Sequence, residues 1–338
     1  MSDTGSFNSQ PSAAESGSKP LVSIVTPCYN DAAYVREAIE SVLNQSYPHL
    51  EAIVIDDGST DDSWDVIQSF GDRVQCEQQP NQGAPAARNR GVEMAEGTYV
   101  KFLDADDVLV MDCIERQVRQ AEALPEEKDA VVFGDAIWVD EEGYELDGYD
   151  DLRGRKPDEE PVTHLLFSNP LTSCPLHRQE YLLEVGGFDT SLPRSQEHDL
   201  HLRLALAGVE FVYEPTPTYH FRQHEEADRI SGRSYAEQGL MTHYDLIQRY
   251  RRLIEKKQGK PLPGEVRTVL ARALWRHGRA ILRERHREVA ETYFQGARAL
   301  ADGKSPTVGS VPYRVLNWVS GPVAAEKIVS SVKAFTGG

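Results

Sequence analysis

Two periods of apolar residues alternate along the first hundred positions. Leu21 to Thr26 is a short run rich in β-branched residues, closed by Pro27, and Asp31 to Gln45 places Val35, Ile39 and Val42 at helical spacing. Leu50 to Ile55 repeats the strand pattern. After Asp56-Asp57-Gly58-Ser59, either Thr60 or Asp61 can cap a helix carrying Trp64, Val66 and Ile67. Arg73 to Glu77 reads as a third strand, Ala84 to Ala95 as a third helix and Thr98 to Leu103 as a fourth strand. Strands alternating with helices predict an α/β fold, with a mostly parallel central sheet covered by helices on both faces.

From about Ser234 the pattern turns wholly helical. Leu270, Leu274, Trp275, Ile281 and Leu282 mark one helix, and Val289, Ala290, Tyr293, Phe294 and Ala297 the next, joined near Arg285-His286. The pair resembles a single tetratricopeptide-like unit, which needs a neighbour to cover its apolar face. The last stretch, with Val315, Leu316, Trp318, Val319, Ile328 and Val332, is suited either to covering core or to touching a bilayer.

Composition narrows the classes. The chain has 338 residues, 40% of them apolar, which is enough for a sizeable core. Its 36 basic and 54 acidic residues give a net charge of −18, which argues against nucleic acid as a partner. Cys28, Cys76, Cys113 and Cys174 are scattered with neither disulfide nor zinc spacing, as expected in a reducing, cytoplasmic compartment. Residues 1–20 are rich in Ser, Gly, Asn and Pro and read as a disordered tail. No run approaches the ~20 apolar residues of a membrane span. Arg267 to Arg287 is nonetheless dense in arginine, a face for membrane head groups, for a lipid-linked phosphate acceptor or for solvent.

In parallel sheets ligands bind at the carboxyl ends of the strands. Three loops there carry polar clusters: Pro27-Cys28-Tyr29-Asn30, Asp56-Asp57-Gly58-Ser59 and Asp104-Ala105-Asp106-Asp107. If the last cluster continues its strand, Asp104 and Asp106 share a face, and two hard oxygen donors suit Mg²⁺ or Mn²⁺ completed by phosphate and water. The sequence lacks both G-x-x-x-x-G-K-[ST] and a G-x-G-x-x-G after the first strand, which weakens the case for other α/β nucleotide enzymes such as nucleotidyltransferases. A noncatalytic module that binds a sugar nucleotide is the third class.

Val25 to Asn30, Ile55 to Asp61, Asn81-Gln82-Gly83 through Ala87-Arg88-Asn89, and Phe102 to Asp107 together resemble family 2 glycosyltransferases of the GT-A fold. The resemblance covers about Pro20 to Gly232. It implies a glycosyltransferase domain over 21–232, with a nucleotide-sugar half at about 21–110 and an acceptor half at about 111–232, followed by a helical extension over 233–338. It also implies a metal-dependent, inverting transfer from a nucleotide-sugar donor, UDP being favoured, to a hydroxyl on a sugar or lipid-linked acceptor in polysaccharide or glycoconjugate assembly.

The resemblance carries roles as well. Thr26, Pro27, Tyr29 and Asn30 would line the base and ribose, and Asp57 would accept the ring N–H of uracil. Arg88 would contact the base or diphosphate, Asp104 the ribose or metal shell, and Asp106 the metal. An ion pair between Asp57 and Arg88 tying two loops together is the alternative reading of those two residues. Gln196-Glu197 stands where the family places Glu then Asp, so the general base is Glu197, one methylene longer than usual, with Asp199 as runner-up. Asp199 can instead pair with Arg203 four residues on. Tyr219 to His224 and Ser231 resemble the segment that closes over the diphosphate, with His224 as a third metal ligand and Arg222 against phosphate charge. Pocket shape, which the sequence does not show, sets the sugar and the acceptor.

Overall fold

The computed structural model describes residues 19–125, 128–147, 152–166, 168–223 and 239–301, with 306, 317, 321–325 and 328 beyond them. The chain divides into two compact units, Met1–Glu225 and Glu226–Gly338. The expected disordered tail lies, apart from Lys19 and Pro20, outside the described residues.

The first unit runs β1 (Val22–Cys28), α1 (Val35–Leu43), β2 (Leu50–Asp56), α2 (Ser63–Gln68), β3 (Gln75–Gln78), α3 (Ala84–Met94), β4 (Tyr99–Phe102) and β5 (Val108–Leu109). It continues with α4 (Cys113–Glu122), β6 (Ala130–Val139), α5 (Pro161–Leu165), β7 (Pro175–Arg178), α6 (Gln179–Glu184), α7 (Gln196–Ala207) and β8 (Glu210–Arg222). One eight-stranded sheet, ordered β3-β2-β1-β4-β7-β6-β8-β5, carries them all. Its first four strands are parallel, as the alternation of strands and helices predicts. β7 then reverses direction against both β4 and β6, and β5 runs antiparallel to β8.

Pro27 lies inside β1, not beyond it. It pairs in register with Ile55, while pairing with β4 ends at Val25–Phe102. The Val25 carbonyl accepts from Leu103 N–H, so odd-numbered residues of β1 turn their backbone toward β4. The N–H that Pro27 lacks therefore falls where β4 has already ended, and no ladder bond is lost. Above the sheet α3 lies close on β1, because a Cβ at Gly91 would overlap the Val25 side chain. Ile24, Val25, Ile53, Val100 and Phe102 are fully buried and form the centre of the core.

The second unit contains α8 (Thr242–Gln258), α9 (Gly264–Arg283) and α10 (Arg287–Ala301). The predicted hairpin is α9 and α10. Arg285, in the left-handed region at φ 72°, makes the turn between them. Trp275 meets Phe294 at 4.7 Å between ring centres, and Gly278 lets the helices approach at Tyr293 and Phe294. α8 completes the cover, its Tyr244 lying edge-on to Tyr293. Of the last apolar stretch, Ile328 is exposed, whereas Val315, Leu316, Trp318, Val319 and Val332 lie outside the described residues.

Candidate active site

The three polar loops meet at the carboxyl end of the parallel strands. Asn30 takes a left-handed conformation, φ 57°, and links two of them: its N–H donates to Ser59 Oγ at 2.9 Å and its Oδ1 accepts from Thr60 N–H at 2.8 Å. Asp61 Oδ1 accepts from the N–H of Ser63, so α2 is capped from two positions before its first residue. Tyr29 is 46% exposed at the rim. Thr26 and Pro27 are buried, so of the expected base wall only Tyr29 and Asn30 stand open to solvent.

Asp57 is 2% exposed and shapes the loop after β3. Its Oδ1 accepts from Gln79 Nε2 at 2.7 Å and Gln82 N–H at 2.9 Å, and its Oδ2 from Gly83 N–H at 2.6 Å. Each carboxylate oxygen has two lone-pair sites, so Oδ2 keeps acceptor capacity beyond this bond. The Asp57–Arg88 pair is not formed. Arg88 turns instead to Asp104, Nη2 to Oδ1 at 2.5 Å.

Asp104 to Asp107 is not a continuation of β4. Asp107 N–H donates to the Asp104 carbonyl at 3.1 Å, closing a tight turn, so the alternation expected of an extended segment does not operate. The turn forms because β5 follows at once and must reverse to pair with β8. Asp104 and Asp106 remain partly exposed on it, while Asp107 is buried and accepts from Arg222 N–H at 3.0 Å.

Arg222 holds the acidic turn in place. Its Nε donates to the Asp106 carbonyl at 3.1 Å, its Nη1 to the Glu141 carbonyl at 2.8 Å and its Nη2 to Glu37 at 2.6 Å, with the guanidinium over the Tyr34 ring. All three guanidinium nitrogens are engaged by protein, so Arg222 pins the acidic turn, while Nη1 and Nη2 each carry a second N–H beyond these bonds. His224 and Ser231 lie outside the described residues.

α7 brings the acceptor-half carboxylates. Ser195, left-handed at φ 54°, precedes its first residue and sets the direction of the turn that carries Glu197. Glu197 is half-buried. Burial pushes its carboxyl above the ordinary value and the Asp104 carboxylate adds to this, opposed by its own backbone N–H and by Arg88. Glu197, Arg88 and Asp104 thus act on one another electrostatically across the two halves of the unit. Asp199 is fully buried and pairs with Arg203 at 2.8 Å, while Arg203 also donates to the carbonyls of Val185 and Gly187 at 2.7 Å. Asp199 therefore braces the Gly186-Gly187 turn and is withdrawn from substrate.

Two contributors had no role assigned from sequence. Phe188 lies under Arg88, its ring centre 5.4 Å from the guanidinium carbon, and Asn89 holds the Phe188 backbone. Their signal was the glycine pair before Phe188: Gly187 has φ +65°, and a Cβ there would collide with Asn89 Oδ1.

Arg88 Nε is buried and finds no acceptor among the described residues. No cluster of three metal-type ligands occurs among the described residues. Two carboxylates on one turn fit Mg²⁺ or Mn²⁺ only in the form in which substrate phosphate oxygens and water complete the shell.

Residues 23–178 match the family described as Glycosyl transferase family 2. A Rickettsia felis protein described as an uncharacterized glycosyltransferase is 34% identical over 231 residues, 65% of this chain and 35% of its own length. The putative teichuronic acid biosynthesis glycosyltransferase TuaG of Bacillus subtilis is 39% identical over 135 residues, covering 39% of this chain and 52% of TuaG. The chain thus spans about a third to a half of these relatives. Among solved structures, S. aureus TarS 1–349 in complex with UDP-GlcNAc superposes with a TM-score of 0.66 at 17% identity, covering 93% of this chain and 92% of that one.

Proposed function

We propose, from the match of residues 23–178 to the family described as Glycosyl transferase family 2 and from the fold shared with TarS, that the chain is a family 2 glycosyltransferase that transfers a sugar from a UDP-sugar to a hydroxyl acceptor with inversion at the anomeric carbon. The observation that carries the reading is the half-buried Glu197 carboxyl, held above its ordinary value beside the Arg88–Asp104 pair. Its position beside that pair, at the start of α7, is where a general base can face an acceptor hydroxyl.

Glu197 accepts the proton of the acceptor hydroxyl as that oxygen forms its bond to the anomeric carbon. The bond from that carbon to the UDP oxygen breaks, and UDP leaves with the electron pair. Asp199 is buried on Arg203 and does not serve as a nucleophile, and in this reading a single displacement inverts the configuration. Arg88, desolvated and already aimed at Asp104, stabilises charge on the departing diphosphate. Asp106, with Asp104, would hold Mg²⁺ or Mn²⁺, which when bound would supply further positive charge against that diphosphate. Tyr29 and Asn30 border the nucleoside, and Asp57 fixes the loop beside it while retaining acceptor capacity for the uracil ring N–H.

TarS was solved with UDP-GlcNAc and with UDP, and TuaG is named for teichuronic acid biosynthesis, which favours a UDP-sugar and a polysaccharide or glycoconjugate product for this chain as well. A cytoplasmic site and a lipid-linked acceptor, approached by peripheral contact of the C-terminal helices with a membrane, complete the reading. No helix among the described residues is long and apolar enough to cross one.

The test is UDP release from a panel of UDP-sugars with Mn²⁺ and a mixture of polyprenyl-phosphate and oligosaccharide acceptors, with and without chelator. Turnover of at least one donor, abolished in Glu197→Gln with UDP binding retained, is the expected result. Turnover undiminished in Glu197→Gln removes the base assignment.

A further inference from the structure

Lys101 lies in β4, three residues before Asp104, and its side chain is fully buried. Neighbouring residues of a strand face opposite sides of the sheet. Phe102 meets Phe188 and His177 on one side, so Lys101 points to the other, beneath α4. A lysine this deep in a core ordinarily has an anionic partner. Among the described residues it has none: Nζ donates to Gln117 Oε1 at 2.9 Å and to the Cys174 carbonyl at 3.2 Å, two neutral oxygens. Gln117 Nε2 donates to the same Cys174 carbonyl at 2.8 Å and to the Val132 carbonyl at 3.4 Å. These bonds tie β4, α4, β6 and the residue before β7 into one knot.

The number of donors separates the two forms of the amine. An ammonium group carries three N–H donors and a neutral amine two. Two acceptors meet Nζ among the described residues, so the ammonium form would leave a third N–H, and with it a full charge, unmatched between the sheet and α4. The groups that interact with it electrostatically are Cys113 and Arg116 of α4, Cys174 and His177, and none of them is a carboxylate. Burial draws the amine below its ordinary value, opposed by the two thiols and helped by Arg116.

The knot adjoins the acidic turn. Cys174 follows Ser173, whose Oγ accepts from the Asp104 N–H at 3.4 Å. We infer that Lys101 is a positioning residue that works as an uncharged amine: its bond to the Cys174 carbonyl fixes Ser173, and Ser173 fixes the Asp104 end of the acidic turn. Lys101 touches neither donor nor metal and acts only through these bonds. Its importance to transfer rests on the role proposed above for Asp104, whereas its charge state does not. As pH falls through the lowered value of Lys101, the added N–H finds no acceptor and the hold on the turn weakens.

The full chain is labelled with ¹³C at the lysine ε carbons, and the Lys101 signal is identified by its absence in Lys101→Met. At about pH 8 that signal is expected at the neutral-amine position while the other lysines stand at the ammonium position, and acid should move it to join them. Calorimetry of UDP with Mn²⁺ on Lys101→Met should show affinity reduced about tenfold, the scale on which partners behind a metal site act. Ser173→Ala breaks only the last link and should lower the affinity in the same direction with a melting temperature close to wild type. If Lys101→Met does not fold, Lys101→Gln identifies the signal and Ser173→Ala carries the affinity measurement. An ammonium signal for Lys101 at that pH, or wild-type UDP affinity in either variant, overturns the proposal. UDP release is read in parallel, so a chain with a neutral Lys101 and no transfer counts against the glycosyl transfer reading alone.

Discussion

The carboxamide of Asn89 closes on both ends of the Phe188 residue: its Nδ2 donates to the Phe188 carbonyl at 2.8 Å and its Oδ1 accepts from the Phe188 N–H at 2.7 Å. Asn89 follows Arg88 on α3, and Phe188 both supports Arg88 and meets Phe102 of β4 edge-on at 5.1 Å. On its other side the same turn is held by Arg203 and, through it, by Asp199 of the helix that carries Glu197. One glycine turn thus registers the donor-side cation against the acceptor-side carboxylate.

Replacing Asn89 by Ala leaves a backbone N–H and a carbonyl without partners, at about 1–3 kcal/mol each where they are shielded from water. The expected outcome is a lower urea midpoint together with a fall in kcat larger than the change in donor KM. Gly187→Ala should act in the same direction, because it forces a side chain into a left-handed position against Asn89. Denaturant melts and steady-state kinetics on both variants check this.

Glu197→Gln removes the proton acceptor while keeping shape, and a fall of about 10²–10⁴-fold in kcat is expected, with UDP affinity close to wild type. Calorimetry of UDP binding alongside turnover separates the two effects.

The acid limb of the kcat profile should lie above the usual carboxylate range, since Glu197 is held up by burial and by Asp104. Turnover is then lost as pH falls through that raised value, because the protonated carboxyl cannot accept. Asp104 pushes Glu197 up and Arg88 pulls it down, so Asp104→Asn should move the limb to lower pH and Arg88→Gln to higher pH. Residual kcat measured across pH 4 to 8 on the two variants gives the sign of each shift.

Burial lowers His177 to about 3 and His198 to about 4. These rings stay neutral in the folded chain but take a proton at about 6.5 when unfolded, so the unfolded state binds more protons in between. Their contribution to stability is complete above pH 6.5 and is lost as pH falls below it, by up to about 1.4 kcal/mol per pH unit for each ring. Glu159, held at about 2 chiefly by Arg153, loses its contribution only below about 4.5, outside the range from pH 6.5 to 5 over which the histidines act. His177→Phe, next to Phe102 and the ring of His201, should flatten the urea midpoint against pH across that window.

Much of this architecture was legible in the pattern of apolar positions. The strands and helices from Val22 to Phe102 follow it to within a few residues, because each is set by a local period and closed by a local cap. Long-range relationships were not. β7 runs antiparallel between two strands of the opposite sense, and strand direction is a long-range property that no single segment carries. Asp104 to Asp107 turns instead of extending, because the pairing of Val108 and Leu109 with β8 overrides the local alternation. The bonds of Arg222 to Glu37, Glu141 and Asp106 join positions distant in sequence, and the local pattern carried no sign of them. Glu197 and Asp199 could be told apart in outline because the i, i+4 arginine was visible, and the structure gives Asp199 to Arg203. Asn89 and Phe188 were missed because their partnership joins positions 99 apart.

In the proposed reading Asp104 and Asp106 would hold Mg²⁺ or Mn²⁺ beside Arg88, against the diphosphate of a UDP-sugar. Titration of UDP into the full chain by calorimetry, with and without Mn²⁺ and then on Asp106→Asn, tests it most directly. Affinity is expected to rise at least about tenfold with Mn²⁺ and to lose that gain in the variant. UDP affinity indifferent to Mn²⁺ in the wild-type chain, or an undiminished Mn²⁺ effect in Asp106→Asn, would contradict it.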